Sequence, residues 1–319
     1  MHNKIAQKKI VILGAGFAGL RCAKILEGFY PGQVTLIDKN NHHLYTPELY
    51  ELKEKRVKLP ITAKAEFLQK EVADWRRLDY DYLVLAVGAQ TNYYNIPGLK
   101  DNALTFKNLE DIERIRKISA GDISIIGGGV TGVELAAQLA IKLEGERIKL
   151  IEGSPCILSN LEESFKIKVE RRLKKLGIDI LCDYRLNKVE PGRIFFENGE
   201  ILKFDNLIWT GGVKMGEYKV DKYLRADGEK NVFAVGDCAS VNPGMIRPAL
   251  EQAEIAAMNI KNSIEGKPLV IYQPKFRGIF IPLGGYSAAV KIGKMKMLGF
   301  LPWLIKELVN FLYKKTYGV

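Results

Sequence analysis

Two glycine-rich hexapeptides, Gly14-Ala15-Gly16-Phe17-Ala18-Gly19 and Gly127-Gly128-Gly129-Val130-Thr131-Gly132, carry the spacing that cradles a pyrophosphate. In each, the first glycine makes a tight turn, the second lets the backbone approach the phosphates, and the third allows a helix to close on a strand. Phe17 and Ala18, and Val130 and Thr131, then open helices whose free amides and positive dipole ends face an anion. An acid follows at ribose distance in both cases: Asp38 stands 19 residues beyond Gly19, and Glu152 stands 20 beyond Gly132. A carboxylate there accepts from a free 2′-hydroxyl and repels a 2′-phosphate, so the second site is expected to take NADH rather than NADPH. Glu134, two residues past Gly132, reads equally well as a charge favoured by the dipole in the first helical turn or as a group beside the nicotinamide. One such motif would serve a simple dehydrogenase; two in tandem imply that electrons pass from one bound cofactor to another.

The elements needed to position these loops are present twice. Lys9 to Leu13, Leu20 to Leu26 and Val34 to Ile37 read as strand, helix, strand, and Asp122 to Ile126, Val133 to Leu143 and Ile148 to Ile151 repeat the pattern. The repeat lies 113 residues downstream (Gly14 to Gly127), which indicates an internal duplication. Tyr82 to Val87 reads as a buried strand closed by Gly88, and Pro97-Gly98 as an exit from the first domain. Ile178 to Cys182, Arg193 to Phe196 and Asn206 to Trp209 are strand-like, and Gly211-Gly212 marks a return. A strand at Asn231 to Val235 and a helix from Ala249 to Ile264 are assigned back to the first domain. The expected fold is therefore α/β, with two Rossmann-like dinucleotide-binding domains and a C-terminal amphipathic tail. The first domain, with the Gly14 loop, is discontinuous (1–107 and 216–290), the second, with the Gly127 loop, is inserted (108–215), and the tail occupies 291–319.

Composition narrows the class. The 319 residues, 47% hydrophobic and 27% charged, suit a soluble two-domain protein, and the net charge of +11 favours an anionic partner. Cys22, Cys156, Cys182 and Cys238 are isolated, so neither a redox dithiol nor a metal site is expected. The N-terminal MHNKIAQKKIVILGAG superficially copies a signal peptide, but its apolar stretch is broken by functional glycines and reads as a first strand. No uncharged apolar run approaches the roughly 18 residues of a membrane span. A nucleic-acid role for the basic charge is not expected, because no basic stripe with interleaved aromatics is present. Lys53 to Lys58 and Lys166 to Lys175 read as solvated faces.

Beyond the fingerprints, the chain resembles the two-dinucleotide-binding-domain flavoproteins and, within them, the type II NADH dehydrogenases, single-subunit NADH:quinone oxidoreductases. Asp38 to Pro47 is similar to the segment by which that family reaches from ribose toward flavin, bringing in Lys39 and Thr46. Tyr82 to Gly88, Trp209-Thr210-Gly211-Gly212-Val213 and Val232 to Ala239 resemble further family stretches. They imply Gly88 and Asp237 at FAD, Gly211 and Gly212 on the nicotinamide side, and Val72 against the adenine. Arg247 to Ala253 resembles the helix start where quinone approaches, with Gln252 matching one of two family glutamines, and Gly284 stands where a lysine is common. The resemblance implies FAD and NADH as cofactors and hydride transfer to FAD. Two electrons then pass to a quinone without proton pumping, with Glu134 and Gln252 steering nicotinamide and quinone. It also implies a peripheral enzyme at the cytoplasmic face of the membrane, and leaves a homodimer open. Only about 33 residues separate Pro47 from Tyr80, a shortened flavin domain for this family.

Leu298 to Tyr313 places Leu301, Leu304, Ile305, Leu308, Phe311 and Leu312 on one helical face, with Lys306, Glu307, Asn310 and Lys314 off it. Six lysines against one glutamate in the last 29 residues, together with Trp303 and Tyr313, lead to the expectation of a helix on an anionic membrane surface. A sulfide:quinone reductase would need paired cysteines. A soluble NADH reductase for a small iron-sulfur protein would keep both fingerprints and need no such tail.

Overall fold

The computed structural model describes residues 7–226, 228–242, 244–275 and 278–316. The chain forms two compact units: Met1–Leu44, Lys58–Gln90 and Val213–Phe276 make the first, and Tyr45–Val57, Thr91–Gly212 and Arg277–Val319 the second.

In the first unit a five-stranded parallel sheet runs in the order Glu66–Gln69, Val34–Asp38, Ile10–Leu13, Tyr82–Leu85, Val232–Ala234. Its central strands are continuous apolar runs, as expected for strands covered on both faces. Helix Phe17–Phe29 turns Ala18, Leu20, Cys22, Ala23 and Leu26 inward and packs along helix Ile246–Ile264. Arg21 pairs with Glu254 at 2.7 Å across them. The latter helix begins three residues before the expected Ala249, because Pro248 is tolerated in a first turn. The outer strand Glu66–Gln69 ends three residues before Val72.

The second unit repeats the arrangement: Ile178–Leu181, Ile148–Ile151, Ile123–Ile126, Asn206–Trp209, Leu104–Thr105. In both units the strand before the glycine loop is central, its strand–helix–strand partner lies on one side, and the later strand on the other. The duplication read from the glycines thus extends to sheet order. Two antiparallel three-stranded sheets accompany it, Leu186–Glu190 with Arg193–Phe196 and Ile201–Lys203, and Ile279–Pro282 with Ala288–Ile292 and Met295–Gly299. Helix Phe300–Thr316 packs on the second of these.

The compact units divide the chain differently from the sequence boundaries. Residues 91–107 join the second unit, because Leu104–Thr105 pairs with Ile208–Trp209 and Val189 donates to Pro97 at 2.9 Å. Tyr45–Val57 and 278–290 also cluster there, as does the tail, whose last three residues lie outside the described ones. No helix among the described residues is long and apolar enough to cross a membrane.

Candidate dinucleotide sites and the carboxyl network

Gly14 ends the first strand at φ +107°, and a Cβ there would lie 2.3 Å from the Ala86 carbonyl oxygen; only glycine fits. A Cβ on Gly19 would lie 1.8 Å from the Gly14 carbonyl oxygen, so helix and loop touch backbone to backbone. Gly16 differs from both, since nothing lies within 4 Å of its Cβ position. It is the N-cap of helix Phe17–Phe29, and no side chain caps that helix. Asp38 accepts from the Ala15 amide at 2.7 Å and the Asn40 amide at 2.7 Å, which fixes the carboxylate at the rim of the loop. His43 is buried with Nδ1 3.2 Å from the Ala15 carbonyl oxygen and its ring edge-on to Phe17; burial pulls it down to about 4, so it is neutral at pH 7.

The second loop reproduces each feature. Gly127 has φ +115° and packs on Gly211, a Cβ on Gly132 would meet the Gly127 carbonyl oxygen at 1.9 Å, and Gly129 has nothing within 4 Å. Helix Val130–Lys142 is again uncapped by any side chain. Glu152 accepts from the Gly128 amide at 2.6 Å and the Ser154 amide at 2.8 Å, so each acid is tied to the second residue of its loop. Thr210 adds a clamp the sequence reading missed, its hydroxyl 3.0 Å from the carbonyl oxygens of both Ile126 and Gly127. Gly211 and Gly212 leave no room for side chains, the first against the Trp209 ring and the second against Tyr94. The open N-terminus, the glycine with free space before it and the tethered acid fit a dinucleotide pyrophosphate in each unit.

The remaining expected residues fall as follows. Gly236, at φ +74°, brings the Asp237 loop against Ala18, and Asn242 donates to Asp237 at 3.1 Å. Gly88 also has positive φ and open space before it. Gln252 is fully buried: Oε1 accepts from the Gly236 amide at 2.8 Å, and Nε2 lies 3.4 Å from the Tyr272 hydroxyl. Both ends of its amide are therefore engaged within the first unit. Lys39 is exposed beside Glu71, Val72 packs against the cluster around Trp75 and Leu83, and Thr46 lies in the segment that clusters with the second unit. Cys22 and Cys238 are buried, and burial pushes both thiols up to about 12, which keeps them protonated.

Glu134 corrects one expectation. The helix starts at Val130, inside the fingerprint, so Glu134 is its fifth residue and lies beyond the first turn, which holds no acid. Half-buried, and without a hydrogen bond among the described residues, its carboxyl is pushed up by burial to about 8 against the opposing pull of Lys306.

Lys306 arrives from the C-terminal helix, which is seated with its polar side inward. Lys306 and Asn310 are buried, whereas Phe300, Leu301, Leu304, Leu308, Val309, Phe311 and Leu312 are each about half or more exposed. Inward, Lys306 donates to Tyr50 and to Glu307, Lys314 pairs with Glu48 at 2.6 Å, and Tyr45 donates to Asn310 at 2.9 Å. Arg56 joins Glu48, Glu51 and Glu307 at 2.7 to 3.0 Å. These three carboxylates lie close enough to hold a cation, but Arg56, Lys306 and Lys314 already neutralise them.

Comparison with known proteins agrees with this geometry. Residues 48–258 match the pyridine nucleotide-disulphide oxidoreductase family. A demethylphylloquinone reductase of Synechocystis is 30% identical over 97% of this chain and 92% of its own length. A type II NADH:quinone oxidoreductase of Mycobacterium tuberculosis is 24% identical over 97% of this chain and 84% of its own. A solved structure of NDH2 from Plasmodium falciparum in complex with NADH shares the fold, with a TM-score of 0.78 at 19% identity, covering 98% of this chain and 99% of the other.

Proposed function

Since the chain belongs to the pyridine nucleotide-disulphide oxidoreductase family, we propose that it oxidises NADH through a bound FAD and delivers two electrons to a membrane quinone, without pumping protons. The observation that carries this reading is the twice-built loop, each copy with its acid tethered to the loop backbone. Gly14, Gly16, Phe17, Ala18, Gly19 and Asp38 would hold FAD, with Gly88 and Asp237 nearby in the same unit; Gly127, Gly129 to Gly132, Glu152, Gly211 and Gly212 would hold NADH. Bound FAD supplies the redox chemistry, accepting a hydride and releasing electrons. The chain's own work is to bind, orient and exclude water. Gln252 acts as a positioning residue for the Gly236–Asp237 loop rather than as a group that touches quinone, since its amide is spent on Gly236 and Tyr272.

Glu134 is neutral at pH 7 and so adds no charge where an anionic dinucleotide must enter; ionised, it repels NADH. The expected result is a kcat/KM for NADH that declines as pH rises through about 8. This limb should be absent in Glu134→Gln and displaced to higher pH in Lys306→Met, because Lys306 favours the charged form. A limb unchanged in Glu134→Gln would remove the residue from the site. The same shift acts on stability. The unfolded chain ionises Glu134 near 4.5 and the folded chain at about 8, so stability is lost as pH rises between them, and Glu134→Gln gains most above that window.

Glu152→Ala should narrow the preference for NADH over NADPH by about tenfold, the loss of one hydrogen bond to a charged group. Parallel KM measurements with the two nucleotides read this directly, and an unchanged ratio would mean that Glu152 only braces Gly128 and Ser154.

The exposed apolar side of the C-terminal helix supports a peripheral seat on a membrane surface, which a soluble reductase for an iron-sulfur protein would not need. The decisive assay follows NADH oxidation by the FAD-loaded protein with a short-chain quinone. Flavin that NADH bleaches and quinone does not restore would keep the two nucleotide sites and overturn the acceptor.

A further inference from the structure

Four of the six lysines of the tail are spent on partners within the protein. Lys306 and Lys314 are turned onto Tyr50, Glu307 and Glu48, while Lys291 and Lys296 pair with Glu162. Besides exposed Lys294 and Lys315, a denser set of cations near the helix comes from another element. Helix Glu163–Lys175 presents Lys168, Arg171, Arg172 and Lys175, spaced three and four apart on one face, to an open groove of about 630 Å³. Tyr286, Ser287, Leu298, Gly299 and Phe300 form the rest of its lining. Lys166, on the same helix, is paired with Glu163, but none of the four groove cations has a carboxylate partner among the described residues. Arg172 reaches the Leu283 and Gly284 carbonyl oxygens only at 3.4 and 3.5 Å, and the charge of Glu170 bears on Cys182.

Opposite the cations stands a cluster of aromatics. Tyr286 is 73% exposed and Phe300 59%, and both pack on Trp303, with ring centroids 4.9 and 5.5 Å away. Phe300 is at once a wall of the groove and the first residue of the C-terminal helix, so the groove opens directly onto the apolar stripe of Leu301, Leu304 and Leu308. Cations, exposed aromatic rings and an apolar face, met in that order, match the order of phosphate, glycerol and acyl chain at a bilayer surface.

We infer that the groove formed by Lys168, Arg171, Arg172 and Lys175 with Tyr286 and Phe300 binds the phosphate headgroup of an anionic phospholipid, whose acyl chains leave along the exposed side of the C-terminal helix. The inference rests on the membrane-surface reading above and names the residues that give it charge selectivity. Arginine forks suit phosphate oxygens, and each basic residue near an anionic surface strengthens binding by about fivefold.

The test is vesicle flotation of the full FAD-loaded chain with phosphatidylcholine alone and with phosphatidylcholine mixed with phosphatidylglycerol. The variant Lys168→Gln/Arg171→Gln/Lys175→Gln is compared with an equal-charge control, Lys100→Gln/Lys203→Gln/Lys230→Gln. The groove variant should lose on the order of a hundredfold in partitioning to the anionic vesicles. The control changes three exposed lysines that do not line the groove and should lose less than about fivefold. Both should keep NADH oxidation with a water-soluble quinone in the absence of vesicles. Equal losses in the two variants would overturn the groove while leaving membrane docking intact, whereas a wild-type protein that floats with neither vesicle would overturn the membrane reading itself. Release by inorganic phosphate beyond that caused by sodium chloride of equal ionic strength would make this a soluble-anion site and overturn the lipid assignment, as would retention on duplex DNA that the groove variant alone abolishes.

Discussion

Gly129→Ala should leave the protein as stable as the parent and raise the KM for NADH about a hundredfold, while Gly132→Ala, three residues away, should damage both. The backbone at Gly129 has φ −70° and ψ −176°, which any residue adopts, and its Cβ position is empty, so the fold has nothing to object to. A pyrophosphate drawn against the amides of Val130 and Thr131 would collide with the added methyl and lose one or two charge-assisted hydrogen bonds. At about 1.5 to 3 kcal/mol each, that is two orders of magnitude in affinity. At Gly132 the methyl would stand 1.9 Å from the Gly127 carbonyl oxygen and 2.8 Å from the Thr210 hydroxyl, forcing the helix away from its loop. Such overpacking costs about 1 to 3 kcal/mol or more and lowers Tm by several degrees. Tm by calorimetry and KM by steady-state kinetics separate the two effects. Wild-type KM in a well-folded Gly129→Ala protein would show that this loop does not carry the phosphates. Gly16→Ala and Gly19→Ala form the corresponding pair for FAD, because the first loop has the same open and closed positions.

That contrast was partly legible before the structure. The glycine spacing identifies which positions touch backbone and which leave open space before the loop, because the whole device is local: strand, turn and helix within one stretch of chain. The acids were legible for the same reason, although their tether to Ala15 and Gly128 was not. Legibility ended where a partner lies far away in sequence. Helical periodicity separated the apolar and polar sides of the C-terminal helix correctly but could not say which side faces the protein. Amphipathic helices usually bury the apolar stripe. Here Tyr45, Glu48, Tyr50 and Arg56, some 250 residues earlier, offer two hydroxyls and charges that draw Asn310, Lys314, Lys306 and Glu307 inward. No pattern within residues 300–316 records those partners. The same distance hid the buried lysine whose charge reaches Glu134. The resemblance placed a lysine at the Gly284 position, where φ is +73° and a Cβ would lie 2.7 Å from the Ala137 carbonyl oxygen. A side chain cannot stand there, and Lys306 supplies a cation from another element.

The inverted seating of that helix gives the second large effect. Leu304→Gln/Leu308→Gln/Phe311→Gln should abolish vesicle binding without lowering Tm, whereas truncation after Leu298 should lower Tm as well. The three side chains are 47%, 56% and 62% exposed, so in water their replacement disturbs little packing. In lipid each contributes about 1.5 to 3 kcal/mol when fully buried, and losing even half of the total reduces partitioning by more than about fiftyfold. Truncation does something different. It strips Lys306, Glu307 and Lys314 from a network whose Glu48 is completely buried, and takes Asn310 from the Tyr45 hydroxyl. Buried Glu48 then keeps Arg56 but loses Lys314, and a broken buried ion pair costs about 3 to 5 kcal/mol, a fall in Tm of about 10 °C. A truncated enzyme that loses activity therefore says nothing about membranes, since the element bearing Glu134 loses its neighbouring cation in the same step. The glutamine triple isolates the outward face: Tm unchanged with flotation lost identifies that face as the lipid contact. A fall in Tm comparable to truncation would mean that those side chains are covered by protein in solution.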